Sequence, residues 1–461
     1  MVLHLLIYPT DTNMSPTNSP SPFARRLALT VLLPLLICAG VVRAQDAIRP
    51  SLAGEAAAEA RRQSIDKIPY NLQVGPVKFR FSATMGIEYN DNINLAEDST
   101  FVFPGNVRIT TEPQSDFIFR PQINLDALWP ITQLNTLRFD IGIGYSFYLD
   151  HSNYNTTAVL VTPGSQLAFD FFVGDFRINL HDRFSVQQDP IAEIALSNVA
   201  DYGRFENTGG VSVLWDLNQA VVTFGYDHYT YISLVDEFSY LDRNADILSG
   251  SIGFTPSSTI TVGVEGSFVN TYYDQMVLND SRAFSAGVFL ETQVSSNLRV
   301  RIAGGYQEID FDNNGLVTDS QDVNDYYANL VISHRVNSVL SHNLAIGHEN
   351  QLGVNSNYLT LNYIRHTANW NILYHTLLST ELFYEEAEES GGLFTGPSVI
   401  RGFNPFAAEN SHRYGGALAV GYQLTPHVTL GLRYQYTQKD SNLPLRDYRQ
   451  NRIGIDGTYS F

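Results

Sequence analysis

The feature that most constrains this chain is the run from Val77 to Asn90, VKFRFSATMGIEYN, in which apolar and polar residues alternate without interruption. Alternation with a period of two indicates a β-strand, because successive side chains point to opposite faces. Globular strands usually have about 5–6 residues, whereas a tilted strand that crosses a bilayer needs about 9–11. One face is apolar and ends in Tyr89, and the other carries Lys78, Arg80 and Glu88. The pattern therefore predicts a wall with lipid on one side and water on the other.

The same rhythm continues to the end of the chain and predicts about 18 strands. Short connections, such as 216–219 and 256–259, alternate with longer ones, such as 188–203 and 387–410. Outer-membrane barrels have this asymmetry, with short turns in the periplasm and long loops outside the cell. One strand, 357–372, changes its apolar phase partway along, which indicates a β-bulge. The sequence predicts an all-β fold, a transmembrane antiparallel up-and-down β-barrel.

The aromatic residues support this prediction. Trp129, Trp215 and Trp370 each lie at a strand end, just before a short turn, and tyrosines are frequent at the other ends. Amphipathic rings prefer the two interfaces of a bilayer. Only 16% of the residues are charged, whereas about 25% is usual in a soluble domain. Composition alone also leaves a large soluble β protein open.

The N-terminus carries a targeting pattern. Arg25 and Arg26 precede an apolar run that ends in small residues at Ala44. A basic region, an apolar core and a small-residue site together indicate a secretory signal peptide, and we expect cleavage near Ala44. A membrane anchor and a lipoprotein modified at Cys38 are the alternatives. Cys38 is the only cysteine, so the mature chain would have no thiol.

Three parts of the chain follow from these patterns. Residues 1–44 are the expected signal peptide, residues 45–76 a periplasmic N-terminal segment, and residues 77–461 the barrel. Within this segment, the run from Ser51 to Lys67 is rich in helix formers and Pro69 ends it, so a short helix or a flexible leader is expected, with a plug inside the lumen as the alternative. The expected location is the outer membrane of a Gram-negative type of bacterium.

The first strand and the last one both match known patterns. Residues 70–95 resemble the opening of the bacterial outer-membrane family named β-barrel porin-2, through Gly75-Pro76 and through Gly86, Tyr89, Asp91 and Asn92. This resemblance implies an outer-membrane barrel, and it implies that some relatives accompany exopolysaccharide export systems. The last strand ends on Phe461 and resembles the terminal signal that the barrel-assembly machinery recognises.

These observations predict a porin-like channel for the passive passage of small polar solutes. The alternatives are an outer-membrane component of an exopolysaccharide export system, which needs a periplasmic partner, and a structural barrel whose loops bind ligands. Membrane lipid is an expected partner, and the net charge of −19 argues against nucleic acid. No nucleophile-elbow, zinc-protease or phosphate-loop motif is present, so we do not expect an enzyme.

The residues of the polar strand faces are the predicted lining of the pore. Charges of both signs facing water would admit polar solutes and set the selectivity of a pore, although each one could also be an ordinary solvated residue. The predicted lining residues are Lys78, Arg80, Arg120, Asp126, Arg138, Asp140, Arg177, Arg183, Glu265, Glu291, Arg299, Arg301, Arg335, Glu381, Arg433 and Arg452.

Two acidic loop features suggest cations. Asp310, Asp312 and Asn314 fit the start of a calcium-binding loop, although the twelfth position is Gln321 where a glutamate is expected. No other cofactor is expected. Four glutamates between residues 385 and 389 would form an acidic rim that favours cations, with a solvated charge run as the alternative.

Overall fold

Eighteen long strands form the barrel. The computed structural model describes residues 70–103, 106–156, 158–316, 319, 321–391 and 408–461. The strands are β1 (Val77–Asn90), β2 (Asp116–Pro130), β3 (Thr136–Gly144), β4 (Leu160–Val173), β5 (Phe176–Gln187), β6 (Arg204–Asp216), β7 (Ala220–Ser233), β8 (Arg243–Ser257), β9 (Ile260–Tyr273), β10 (Ser281–Ser295), β11 (Leu298–Phe311), β12 (Val323–Arg335), β13 (Leu340–Leu352), β14 (Tyr358–Leu373), β15 (Thr376–Glu389), β16 (Asn410–Gln423), β17 (Val428–Ser441) and β18 (Tyr448–Ser460).

The sheet closes on itself. Each strand pairs antiparallel with its neighbours in the sequence, and β1 also pairs with β18, from Ser82 opposite Ser460 to Asn90 opposite Arg452. A closed barrel leaves no strand edge unpaired, so every backbone group of the wall can bond within the sheet. The predicted antiparallel up-and-down barrel is confirmed.

The connections separate by length, as the sequence predicted. Eight of them, at one end of the barrel, are short, and the shortest are the two-residue connections 174–175, 258–259, 296–297 and 374–375. The nine at the other end are mostly longer. We call these the short-turn end and the long-loop end. Trp129, Trp215 and Trp370 lie near the short-turn end and are 43%, 38% and 45% exposed.

Large apolar side chains cover the outer face of the barrel. Met85, Ile123, Val288 and Ile455 are each more than 60% exposed, and all four lie on the outward side of their strands. An apolar surface that covers the outer face of a whole barrel is far larger than the apolar patches that a water-soluble monomer normally presents. Within the described residues, no helix has the length and apolar character needed to cross a membrane.

Two short hairpins add to the barrel. Leu72–Val74 pairs with the start of β1, so the end of the 45–76 segment adds a short strand to the barrel. In the first long connection, Ser99–Phe103 pairs with Val107–Thr111, a hairpin that the sequence patterns did not predict. The predicted signal peptide, with its cleavage site near Ala44, and residues 45–69 lie outside the described residues.

The prediction of a β-bulge partway along β14 is wrong. The register with β13 is unbroken, and the only shift with β15 lies at the short-turn end of the strand. Leu361 and Tyr363 face inward and are buried against Ile194, whereas Ile364 and Trp370 face outward and are exposed. The apolar phase changes because the inner face of β14 becomes apolar where a loop packs against it.

Candidate functional site

The long connection between β5 and β6 folds into the barrel. We call residues 188–203 the inner loop. Its Leu196, Val199 and Tyr202 belong to a buried cluster that also contains Tyr229 and Ile247 from the inner face of the wall. Aliphatic side chains in an exposed loop would meet water, so burial against the wall stabilises the inward position. The long-loop half of the barrel therefore has a packed apolar interior on this side.

The inner loop also reaches the opposite wall. Arg446 Nη2 donates to the carbonyl oxygen of Ala195 at 2.5 Å, and Ser197 Oγ donates to the carbonyl oxygen of Arg446 at 2.8 Å. Asn198 Nδ2 donates to the carbonyl oxygen of Leu445 at 2.7 Å. On β16, Arg413 Nη1 donates to the carbonyl oxygen of Ile191 at 2.7 Å. The loop is thus held across the lumen from β5 and β6 to the wall of β16–β18.

A buried group of charges fixes the far end of this bridge. We call Glu409, Lys439 and Arg446 the Glu409 cluster. Glu409 Oε1 lies 2.9 Å from Lys439 Nζ, and Glu409 Oε2 lies 2.5 Å from Arg446 Nη2. Burial would raise the pKa of the Glu409 carboxyl, but Arg446 and Lys439 outweigh burial and lower its pKa to about 2. Glu409 therefore remains a carboxylate. It fixes the position of Arg446, which in turn binds the carbonyl oxygen of Ala195.

A second charged group lies beside the start of the inner loop. We call Arg120, Arg433 and Arg452, which surround Glu88, the arginine cluster. The guanidinium nitrogens of Arg452, Arg433 and Arg120 lie 2.8, 3.2 and 3.3 Å from the Glu88 carboxylate. Arg452 Nη1 also lies 2.8 Å from Asp189 Oδ2 of the inner loop. The cluster joins β1, β2, β17 and β18 to the loop at the narrowed part of the lumen.

Other predicted lining residues form ion pairs along the inner face. Arg177 pairs with Asp170 at 3.0 Å, and Arg301 pairs with Glu265 at 2.6 Å. Strand register places all sixteen predicted residues on the inward side. The remaining ones are Lys78, Arg80 with its partner Asp126, Arg138, Asp140, Arg183, Arg299 with its partner Glu291, Arg335 and Glu381. That these residues line a conducting pore stays a prediction.

The predicted calcium loop does not gather its ligands in the described residues. Asp312 faces the guanidinium of Arg282, with Oδ1 3.1 Å from Nη2, and Asn314 Nδ2 donates to Asp280 at 2.7 Å. Asp310 lies opposite Arg282 on the outer face of β11. No group of three histidine, cysteine or acidic side chains in the described ranges is arranged to hold a metal ion.

The expected acidic rim divides between the two faces of β15. Glu385 is buried on the inner face, where Arg413 Nη2 and Arg365 Nη2 lie 2.5 and 2.7 Å from its oxygens. Glu386 and Glu388 point outward and are exposed. Alternation along a strand places neighbouring side chains on opposite faces, so these four glutamates do not make one acidic surface.

Sequence reasoning missed the inner loop and the residues that hold it. None of the four residues Arg413, Arg446, Lys439 and Glu409, which lie at strand ends or in loops, is among the residues that the sequence predicted to line the pore. One signal was available: the connection 188–203 contains several aliphatic residues, which is unusual for a loop exposed to water.

Comparisons with known proteins find remote likenesses only. No protein-family model matches the sequence, and no curated protein matches it. The resemblance to the β-barrel porin-2 family stays a prediction. Among solved structures, the chain is similar to Pseudomonas aeruginosa OccK5 (OpdH), with 10% sequence identity, a TM-score of 0.45 and coverage of 83% of this chain and 98% of that chain.

Two further likenesses to Pseudomonas aeruginosa structures are of the same order. OpdQ is 9% identical, with a TM-score of 0.46 and coverage of 84% of this chain and 98% of that one. The outer membrane protein opdK is 9% identical, with a TM-score of 0.44 and coverage of 83% and 99%. Similarity at this level supports no inference about this chain, whose barrel is defined by its own strand pairing.

Proposed function

We propose that this protein is a channel of a bacterial outer membrane through which small polar solutes pass passively, and that the inner loop limits their size. The observation that supports the proposal is the position of the inner loop across the lumen. A barrel of this many strands is too wide for wall side chains to fill, so its lumen holds water or a folded-in segment. Here a loop crosses the lumen at one end, and charged residues face the lumen below it.

The proposal also assigns the barrel an orientation in the membrane. The short-turn end would face the periplasm, together with the N-terminal segment 45–76, and the long-loop end would face the outside. The apolar outer face supplies the contact with lipid. Assembly would use the last strand, β18, which is followed directly by Phe461 beside the closing seam with β1.

Single-channel conductance tests the proposal. The purified protein in a planar bilayer should give small unitary currents, and replacing residues 190–201 by a short glycine-serine linker should raise the unitary conductance several-fold. A matched control shortens the hairpin at 99–111, which lies in another long connection, and should leave the conductance unchanged. A trimmed barrel that is folded but carries no more current than the wild type would contradict the proposal.

Liposome swelling with sugars of graded size gives the second test. Wild-type protein should admit only the smaller sugars, and the trimmed variant should admit larger ones. Polysaccharide export, the alternative from the sequence, gains no support from the inner loop, because the loop narrows the passage that a polymer would need.

A further inference from the structure

The arginine cluster has more hydrogen-bond donors than its acidic partners can accept. Three guanidiniums share Glu88, and each guanidinium has many more N–H donors than a carboxylate has oxygens. The Nε atoms of Arg120 and Arg433 are buried and have no hydrogen-bond partner. Asp456, the next carboxylate, lies 3.6 Å from Arg433, which is too long for a hydrogen bond. The cluster therefore lacks acceptors.

The cations of this cluster are more open to the lumen than its central anion. The side chains of Arg433 and Arg120 are 39% and 28% exposed, whereas that of Glu88 is 3% exposed. Glycines keep the approach clear, since a Cβ at Gly454 would lie 3.0 Å from Arg433 Nη2. An anion that enters the lumen would meet the guanidiniums before it meets Glu88.

We propose that Arg120 and Arg433 bind the oxyanion group of a small solute in the lumen, a carboxylate, phosphate or sulfate, while Glu88, itself held by Arg452, holds the two guanidiniums in place. Guanidinium groups suit such ligands because their planar N–H donors match pairs of anionic oxygens. Arg452 has a different role, because it is buried between Glu88 and Asp189. The inference rests on the proposed function, since the solute reaches the site through the lumen.

Binding of inorganic phosphate tests the inference without any need for current. Phosphate and sulfate should raise the melting temperature of the detergent-solubilised wild type more than chloride does at equal ionic strength, because a ligand that binds only the folded state stabilises it. Arg120→Gln and Arg433→Gln should each remove most of this rise. Arg299→Gln, which changes an inner-face arginine paired with Glu291 away from the cluster, should keep it.

Two results of this experiment would overturn the inference. One is a wild type whose melting temperature responds equally to phosphate and chloride. The other is a folded Arg120→Gln/Arg433→Gln double variant that keeps the phosphate response.

Reversal potentials in a salt gradient test the inference independently, through the ion selectivity of the channel. The wild type should pass chloride in preference to potassium, and Arg433→Gln should lower that permeability ratio at least about twofold, because charges lining a pore set its selectivity. Asp456→Asn removes a competing carboxylate and should raise the ratio. Unchanged ratios in both variants would overturn the inference. Folded protein that passes no current in any variant would instead contradict the proposed function, and the phosphate experiment would still decide the binding site.

Discussion

Ile123 and Asn124 are adjacent residues of β2 with opposite surroundings. Ile123 faces outward and is 61% exposed, whereas Asn124 faces the lumen and accepts a hydrogen bond from Gln122 Nε2 at 2.6 Å. Ile123 is one of many exposed apolar side chains on the outer face, and an apolar surface of this extent indicates contact with lipid rather than water. At the residue scale, the two faces of the wall should therefore differ in whether they accept a charged side chain.

Replacing Ile123 or Asn124 by arginine distinguishes the outer face of the wall from the inner face. Ile123→Arg should lower the free energy of unfolding in lipid vesicles by about 2–4 kcal/mol, because the charge enters the hydrocarbon layer. Asn124→Arg, its control, should change the free energy of unfolding by less than about 1 kcal/mol, because it faces water. Urea titration monitored by tryptophan fluorescence measures both. Equal losses would contradict the assignment of the two faces.

Glu409 makes the anchoring of the inner loop sensitive to acid. Arg446, Lys439 and Ser441 contact its carboxylate, and the carboxyl group of Glu389 lies near enough to interact with it. Its pKa in the folded state, about 2, is below the ordinary value of 4.5. A group with a lowered pKa stabilises the folded state fully above its unfolded pKa and loses that contribution as the pH falls through the folded value. The loss therefore falls between pH 4.5 and about pH 2.

Glu409→Gln should lower the melting temperature at neutral pH and flatten the fall of melting temperature below about pH 4.5, since the glutamine cannot titrate. Thermal unfolding of the detergent-solubilised protein across this pH range measures the effect. Glu388→Gln, an exposed outward change at the same end of the barrel, should behave like the wild type. If Glu409→Gln and the wild type showed the same acid response, the stabilising role of Glu409 would be wrong.

At the scale of the elements, the strands and turns could be predicted from the sequence because alternation is local information. The inner loop could not, because its partners are distant in the sequence: Ser197 and Arg446 are 249 positions apart. The β14 error has the same origin, since the apolar inner face of that strand is explained only by Ile194 of the loop. The arginines could be assigned to the inner face by parity, but their gathering around Glu88 depends on the closure of β1 against β18.

Glycines on the strands offer a matched test of packing between elements. A Cβ at Gly263 would collide with the backbone carbonyl oxygen of Ile252 and would lie 2.5 Å from the ring of Phe289, whereas a Cβ at Gly421 would meet no atom within 4 Å. Gly263→Ala should lower the free energy of unfolding by about 1–3 kcal/mol, because the backbone at Ile252 and the Phe289 ring must both shift. Gly421→Ala should be neutral or stabilise by up to about 1 kcal/mol. Equal effects in urea titrations would show that Ile252 and Phe289 do not fill the space at Gly263.

At the scale of the whole molecule, the barrel has an apolar outside, a charged inside and one end narrowed by its own loop. Closure through β1 and β18 satisfies the backbone of the wall, which a membrane requires. In the proposed channel, the inner loop would set the width of the passage, and the arginine cluster beside it would set which charges are favoured there.

Cysteine labelling along β1 tests the central claim, a lipid-facing outside and a water-filled inside, most directly. In a chain with Cys38 replaced by serine, single cysteines are placed at Ser82, Ala83, Thr84 and Met85, and the folded protein in vesicles is treated with a water-soluble maleimide. Fast labelling is expected at Ser82 and Thr84, which face the lumen, and protection is expected at Ala83 and Met85, which face lipid. Equal labelling at all four positions, or the reverse alternation, would show that the two faces are assigned wrongly.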